Sequence, residues 1–275
     1  MIDAHVHLWD QPLGWMTDEM AVLGRPFSLD ELRPSLAAHG VDGVVLVQAQ
    51  SSIEETERLL ELAEHDDVVA GVVGWVDLTA PDVAEALAEL SESGRLVGIR
   101  HQAHDEPDPE WLLRDDVLSG LAAVRDAGLV YDLLVRPREL PAALEVARRL
   151  PELRLVIDHA AKPPIATGEL EPWRTLTAPF AALEQVSCKV SGLVTEADRD
   201  RWKPDDLVPY IAHLVEWFGL ERLLFGSDWP VCLLAASYDE VVAACEHALG
   251  DLAPLGETAA RIYRVPCAPS SQTLT

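Results

Sequence analysis

The chain has 275 residues, 49% of them hydrophobic and 25% charged, which excludes a disordered chain and suits one globular domain of barrel size. Asp and Glu number 47 against 21 Lys and Arg, a net charge of −26. A field of that sign repels phosphate backbones and anionic lipid, so no nucleic-acid or membrane partner is expected, and it favours a neutral small-molecule substrate over a strongly anionic one.

No apolar run approaches the roughly 18 residues of a membrane helix. The start, Met1-Ile2-Asp3-Ala4-His5, lacks the basic and apolar regions of a signal peptide. A cytoplasmic protein is expected. Cys188, Cys232, Cys245 and Cys267 form no C-x-x-C pair, so neither a zinc ribbon nor a disulfide framework is indicated.

In chain order, short Val/Ile/Leu-rich runs alternate with amphipathic stretches. A strand is expected over 1–8, carrying His5 and His7. The segment 11–27 contains Gly14, Gly24 and Pro26 and reads as a long loop able to cover a site as a lid. Ser28-Leu29-Asp30-Glu31 fits a capping box, and Gly40 a helix stop. A strand over 43–50 precedes a helix opened by Ser52-Ile53-Glu54-Glu55. A strand over 71–78 precedes a helix over 82–93, and a strand over 96–102 a helix over 115–127. A strand over 129–136 precedes a helix over 138–150, and a strand over 153–159 a helix over 172–185. A strand over 186–193 precedes a helix over 205–218. The last strand, 222–228, precedes a helix opened by the capping box Ser237-Tyr238-Asp239-Glu240.

Eight strand–helix units in sequence predict an α/β fold, a (β/α)₈ TIM barrel forming a single domain over 1–265, with a disordered tail over 266–275. A doubly wound open sheet is the runner-up, but no G-x-G-x-x-G follows the first strand.

Active sites of such barrels lie at the C-terminal ends of the strands. His5 and His7 share a face by alternation, and two imidazoles there make either a metal site or a polar catalytic floor. Asp228 closes the eighth strand, next to the first in a closed barrel, and a carboxylate there ligates a metal or deprotonates water. On the sixth strand His159 shares parity with Leu155 and Ile157 and is placed inward. Either Arg100 or His101 faces inward on the fourth strand, both reaching a ligand if the strand breaks. Lys189 and Ser191 share a side of the seventh. Trp9, Trp75 and Trp229 end or follow strands, and their flat rings suit the faces of a sugar-like ring. Gln48 ends the second strand and is placed to contact hydroxyls. Trp9, Gln48, Trp75, His101, Lys189 and Trp229 are therefore candidate substrate contacts.

His5-x-His7, His159 and Asp228 resemble the amidohydrolase superfamily. The segments Asp3-Ala4-His5-Val6-His7-Leu8-Trp9-Asp10, Gly98-Ile99-Arg100-His101-Gln102, Tyr131-Asp132-Leu133-Leu134-Val135-Arg136-Pro137, Asp158-His159 with Lys162-Pro163, Cys188-Lys189-Val190-Ser191-Gly192-Leu193 and Phe225-Gly226-Ser227-Asp228-Trp229-Pro230-Val231-Cys232 are similar to its sugar-lactonase branch. The resemblance extends to about Val265. It implies hydrolysis of a neutral aldonolactone, such as an L-fuconolactone-like compound, to the aldonic acid. Asp228 would activate water; one divalent ion at most, zinc by preference, would be held by His5, His7 and Asp228 and polarise the carbonyl or the water, and without an ion His159 and Arg100 would stabilise the oxyanion by hydrogen bonds. The fifth strand offers no Lys or His and the fourth no Glu, so the two-metal site of many relatives is not expected. Ala160-Ala161 replaces the Gly-containing step expected before Lys162. A metal-dependent decarboxylase or pyrone-type lactonase of the same superfamily is the alternative enzyme, and a sugar-binding scaffold the non-enzymatic one.

Overall fold

The computed structural model describes residues 1–266. Eight parallel strands pair in sequence order: β1 Ile2–Val6, β2 Gly43–Val47, β3 Val69–Gly74, β4 Leu96–His101, β5 Val130–Leu133, β6 Arg154–Ile157, β7 Val186–Val190 and β8 Leu223–Phe225. The ends of the sheet meet. Val6 bridges Trp229, His7 N donates to Trp229 O at 2.7 Å and Asp228 N to His5 O at 2.9 Å. That pairing makes a barrel, not an open sheet. Of the expected tail, all but Pro266 lies outside the described residues.

Helices follow the strands on the outside: α1 Leu29–Ala38, α2 Ile53–His65, α3 Val83–Ser91, α4 Asp115–Asp126, α5 Leu140–Arg149, α6 Trp173–Thr177, α7 Leu193–Glu196, α8 Pro204–Phe218, α9 Tyr238–Leu249 and α10 Ala253–Tyr263. None is long and apolar enough to cross a membrane. The Ser52 and Ser237 caps form, each hydroxyl accepting from the backbone N–H three residues on. Ser28 caps α1 by position only, without a side-chain bond. The helix expected over 172–185 is broken into α6 and a 3-10 segment, Ala178–Ala182, where Pro179 removes a donor.

The helix α10 was not among the expected elements, and it completes the barrel. Its Ala259 and Tyr263 pack with Ile2, Ala4, Val45, Val73, Val130, Val156 and Leu224. These side chains fill the lumen at the N-terminal ends of the strands, so the interior is a packed floor there and not a channel. The other side of each strand packs on the helices, with Val6, Leu46, Ile99, Tyr131, Leu155, Ile157, Cys188 and Phe225 in that layer.

This two-sided packing fixes which strand residues look into the lumen. On β1, Ile2 and Ala4 face the floor, yet Val6 and Leu8 face the helices. Alternation is interrupted because the β1–β2 register slips between Asp3 and Val6, and such an irregularity re-aims the residues beyond it. His5 and His7 enter the lumen for that reason. On β6 the inward residue is Val156, not Leu155 or Ile157, so alternation points Asp158 inward. Contrary to expectation, His159 therefore does not face inward by parity with Leu155 and Ile157.

Candidate active site

Above the floor lies a buried charged layer. Lys189 Nζ, fully enclosed, sits 2.6 Å from Asp132 Oδ2, 2.9 Å from Asp158 Oδ1 and 3.1 Å from His5 Nδ1. Arg100 Nη1 lies 3.1 Å from both Asp158 Oδ2 and His5 Nε2, and Tyr263 OH donates to Asp132 Oδ2 at 2.8 Å. Burial acts to raise the Asp158 carboxyl, but Lys189, His5 and Arg100 outweigh it and hold it well below the usual range. Asp132 is pushed up to about 6 by burial, against the pull of Lys189. The layer anchors His5 from beneath.

The next layer carries the chemistry. His7 Nδ1 donates to Val47 O at 2.7 Å, and its Nε2 lies 3.5 Å from Asp228 Oδ1 and 3.1 Å from His5 Nε2. Asp228 lies beyond β8, at φ 59°. Burial acts to raise its carboxyl, yet His159 and His7 bring it below its ordinary value, so it is ionised at neutral pH. His159 does reach the site, for a reason other than parity. The chain leaves β6 at Ile157, and His159 to Lys162 all adopt positive φ between 50° and 59°, which swings the imidazole over His5 with ring centroids 4.5 Å apart. Burial holds His159 neutral, and its Nδ1 lies 2.9 Å from Ser191 Oγ.

Gly192 makes room for that ring. It sits at φ +62°, and a Cβ there would lie 2.5 Å from His159 Nδ1. Gly192→Ala is therefore expected to displace the imidazole and lower kcat by about 10²-fold. Turnover by a variant whose circular dichroism matches wild type checks this, and an unchanged kcat would separate His159 from the chemistry.

These side chains open into a cavity of about 820 Å³ at the C-terminal ends of the strands, lined by His7, Arg100, His101, His159 and Asp228 among others. Several expected contacts lie elsewhere. Trp9 is buried, and its indole donates to Leu23 O and Arg25 O, pinning the segment 11–27. Trp229 packs edge-on against Phe27, and Trp75 donates to His101 Nδ1 from behind, at 3.0 Å. Gln48 is buried and donates to Arg100 O at 3.0 Å. Lys189 belongs to the charged layer below. The tryptophan at the cavity is Trp15, whose indole donates to Ala49 O at 3.0 Å. Gly14 and Met20 reach the cavity with it, so the segment 11–27 does lie over the strand ends. Trp15 neither ends nor directly follows a strand, so that criterion does not select it. The linear signal for Arg136 and Lys162 is a cation in the loop after a strand.

Residues 2–265 match the sequence profile of the amidohydrolases. The chain belongs to the amidohydrolase family. It is 40% identical to an L-fucono-1,5-lactonase of Burkholderia ambifaria, with 96% of this chain and 95% of the relative covered. It is 41% identical to an L-fucono-1,5-lactonase of Burkholderia multivorans, with 96% of each covered. A crystal structure of a Burkholderia multivorans amidohydrolase with bound zinc superposes with a TM-score of 0.92 at 40% identity, covering 96% of this chain and 99% of that one.

In this amidohydrolase the donor set suits a single divalent ion. Ligand atoms of His5, His7 and Asp228 all lie within 4.8 Å of one another, every one buried. Two imidazoles and a carboxylate match the preferences of zinc. Arg100 is 3.1 Å from His5 Nε2 and opposes a second positive charge there, which favours weak binding. A second group of three atoms, from His5, Asp158 and His159, shares His5 and already engages Lys189, Arg100 and Ser191, so it offers no independent second site.

Proposed function

We infer that this protein hydrolyses a neutral sugar lactone of the aldonolactone class to the aldonic acid. The observation that carries the reading is the convergence of His5, His7, His159 and Asp228 at the base of the cavity, together with 40% identity over 96% of the chain to an L-fucono-1,5-lactonase.

A lactone is a cyclic ester. Asp228, ionised and against the cavity, takes a proton from water as the water oxygen attacks the carbonyl carbon. Arg100 donates towards the developing oxyanion, a contribution of about 10²–10³ in rate for one such donor. Neutral His159 orients the attacking water and lactone by hydrogen bonding through its free ring nitrogen. The carbon–oxygen bond of the ring then breaks, and the leaving oxygen recovers the proton held on Asp228. A divalent ion would be held by His5, His7 and Asp228, where it would supply positive charge able to polarise the carbonyl and lower the pKa of water.

The test of the reaction is a pH-indicator assay over L-fucono-, L-galactono-, L-rhamnono- and D-arabinonolactone. Acid release from at least one is expected. Release of carbon dioxide from an aromatic acid in its place would assign the decarboxylase alternative. Elemental analysis should find no more than one tightly held ion per chain, lost in His7→Ala; two ions per chain would contradict the single-site reading. Cys188, Cys232 and Cys245 are free thiols among the described residues, which suits a reducing compartment, and we place the activity in the cytoplasm.

A further inference from the structure

The mouth of the cavity is polarised. The loops after β1 and β8 contribute Trp15, Met20, Val231 and Leu234, an apolar arc. The loops after β4, β5, β6 and β7 contribute His104, Arg136, Lys162 and Arg199, a basic arc on the opposite side. In a chain of net charge −26 this clustering runs against the composition.

The arc holds unused donors. Most carboxylates facing the cavity are already engaged: Glu196 by Lys162 at 3.0 Å, Glu106 by His101 at 2.8 Å and Asp105 by His104 at 3.2 Å. Asp228 lies on the far side, against His7. Arg136 and Arg199, by contrast, meet no carboxylate within 4.0 Å among the described residues. The Nδ1 of His104 is buried and has no hydrogen-bond partner among them. Burial, with the positive fields of Lys162, Arg136 and Arg100, pushes His104 down to about 3, so those three cations act together on one part of the wall.

We propose that Arg136 and Arg199 form a carboxylate subsite of the lactonase cavity, with Lys162 contributing through its field. The guanidinium forks match a carboxylate in charge and geometry. The proposal rests on the lactonase reading, because opening a neutral lactone beside Asp228 creates an aldonate whose carboxylate must then pass the cavity mouth to leave. Two sources share this chemistry: the aldonate product, and a lactone that bears a second, free carboxyl group.

The experiment compares L-fuconate with L-fucitol, the matched neutral polyol, as ligands of the purified full-length protein by titration calorimetry. It is repeated with the double variant Arg136→Met/Arg199→Met and with Arg136→Lys/Arg199→Lys. L-fuconate is expected to bind at least about tenfold more tightly than L-fucitol, the methionine variant to lose about tenfold of that preference, and the lysine variant to keep part of it. Equal binding of the two ligands, or an unchanged preference in the methionine variant, overturns the subsite. Turnover of D-glucaro-1,4-lactone decides the source. A kcat/KM above that of the neutral lactones assigns the subsite to substrate, and a lower one, with L-fuconate still preferred, assigns it to product. Calorimetry reads the subsite without turnover, so its failure is distinguishable from failure of the lactonase reading.

Discussion

Asp228→Asn is expected to lower kcat for lactone hydrolysis by about 10²–10⁴-fold, the usual contribution of a positioned proton acceptor. The substitution keeps shape and removes only the ability to hold a proton. Asn also tolerates the left-handed backbone that Asp228 occupies at φ 59°, so the melting temperature should stay near that of wild type. Steady-state kinetics beside a thermal melt checks both halves. Near-wild-type turnover would remove Asp228 from the proton transfer. A collapsed melt would show that the carboxylate serves the fold.

The largest expected loss of stability comes from Lys189→Met. The side chains are similar in length, but the ammonium is the shared partner of Asp132 and Asp158, all three fully buried. Its removal leaves two enclosed carboxylates with Arg100 as the remaining buried cation, on Asp158 alone. Breaking a buried pair from one side costs about 3–5 kcal/mol. Denaturant unfolding at neutral pH measures it, and a change within error of zero would contradict the layer's importance to the fold.

The pH dependence of that loss has a definite sign. Burial already raises Asp132 to about 6 with Lys189 in place. Without the ammonium, Asp132 rises further in the folded state and Asp158 loses the strongest of the charges that hold it down, while their unfolded values stay near 3.8. The folded variant then binds more protons than the unfolded chain across that interval, so its stability falls as pH rises through it. The deficit against wild type should be smaller at pH 5 than at pH 8. A deficit that grows towards low pH would show that the two carboxyls stay ionised.

The same layer explains how His5 serves a catalytic site from a position with no exposed surface. Asp158, Lys189 and Arg100 surround its ring on both nitrogens. Such surrounding groups fix a ligand's orientation as firmly as the ligand's own backbone does. The barrel thus separates its tasks by depth: an apolar plug under Tyr263, a charged clamp above it, and the reacting side chains at the mouth.

All eight strands could be read from runs of branched apolar residues, because a parallel strand packed on both faces needs little polarity. Their number and spacing gave the barrel, and a His-x-His and an Asp at the ends of the first and last runs gave the core of the site. Those inferences depend on composition over short windows and on closure of the sheet, both properties of the linear order. The helix α10 carries the same helical spacing in Leu255, Ala259 and Tyr263 but lies outside the strand–helix alternation, because no strand follows it.

Tertiary structure decided where individual side chains point. Alternation holds only inside a regular ladder, as for Arg100 on β4, whereas His5, His7, His159 and Asp228 sit where the ladder fails: at the β1 irregularity, in the left-handed turn after β6 and beyond the end of β8. Trp9, Trp75 and Trp229 turned to structural work because loop packing gave their rings other surfaces. Net charge, which points to a neutral substrate, is likewise a property of the whole chain and not of one rim. A sum over 275 residues describes the long-range field, whereas a bound ligand meets the few side chains that four adjacent loops bring to one rim, and the pairing of β4 to β7 places those loops side by side.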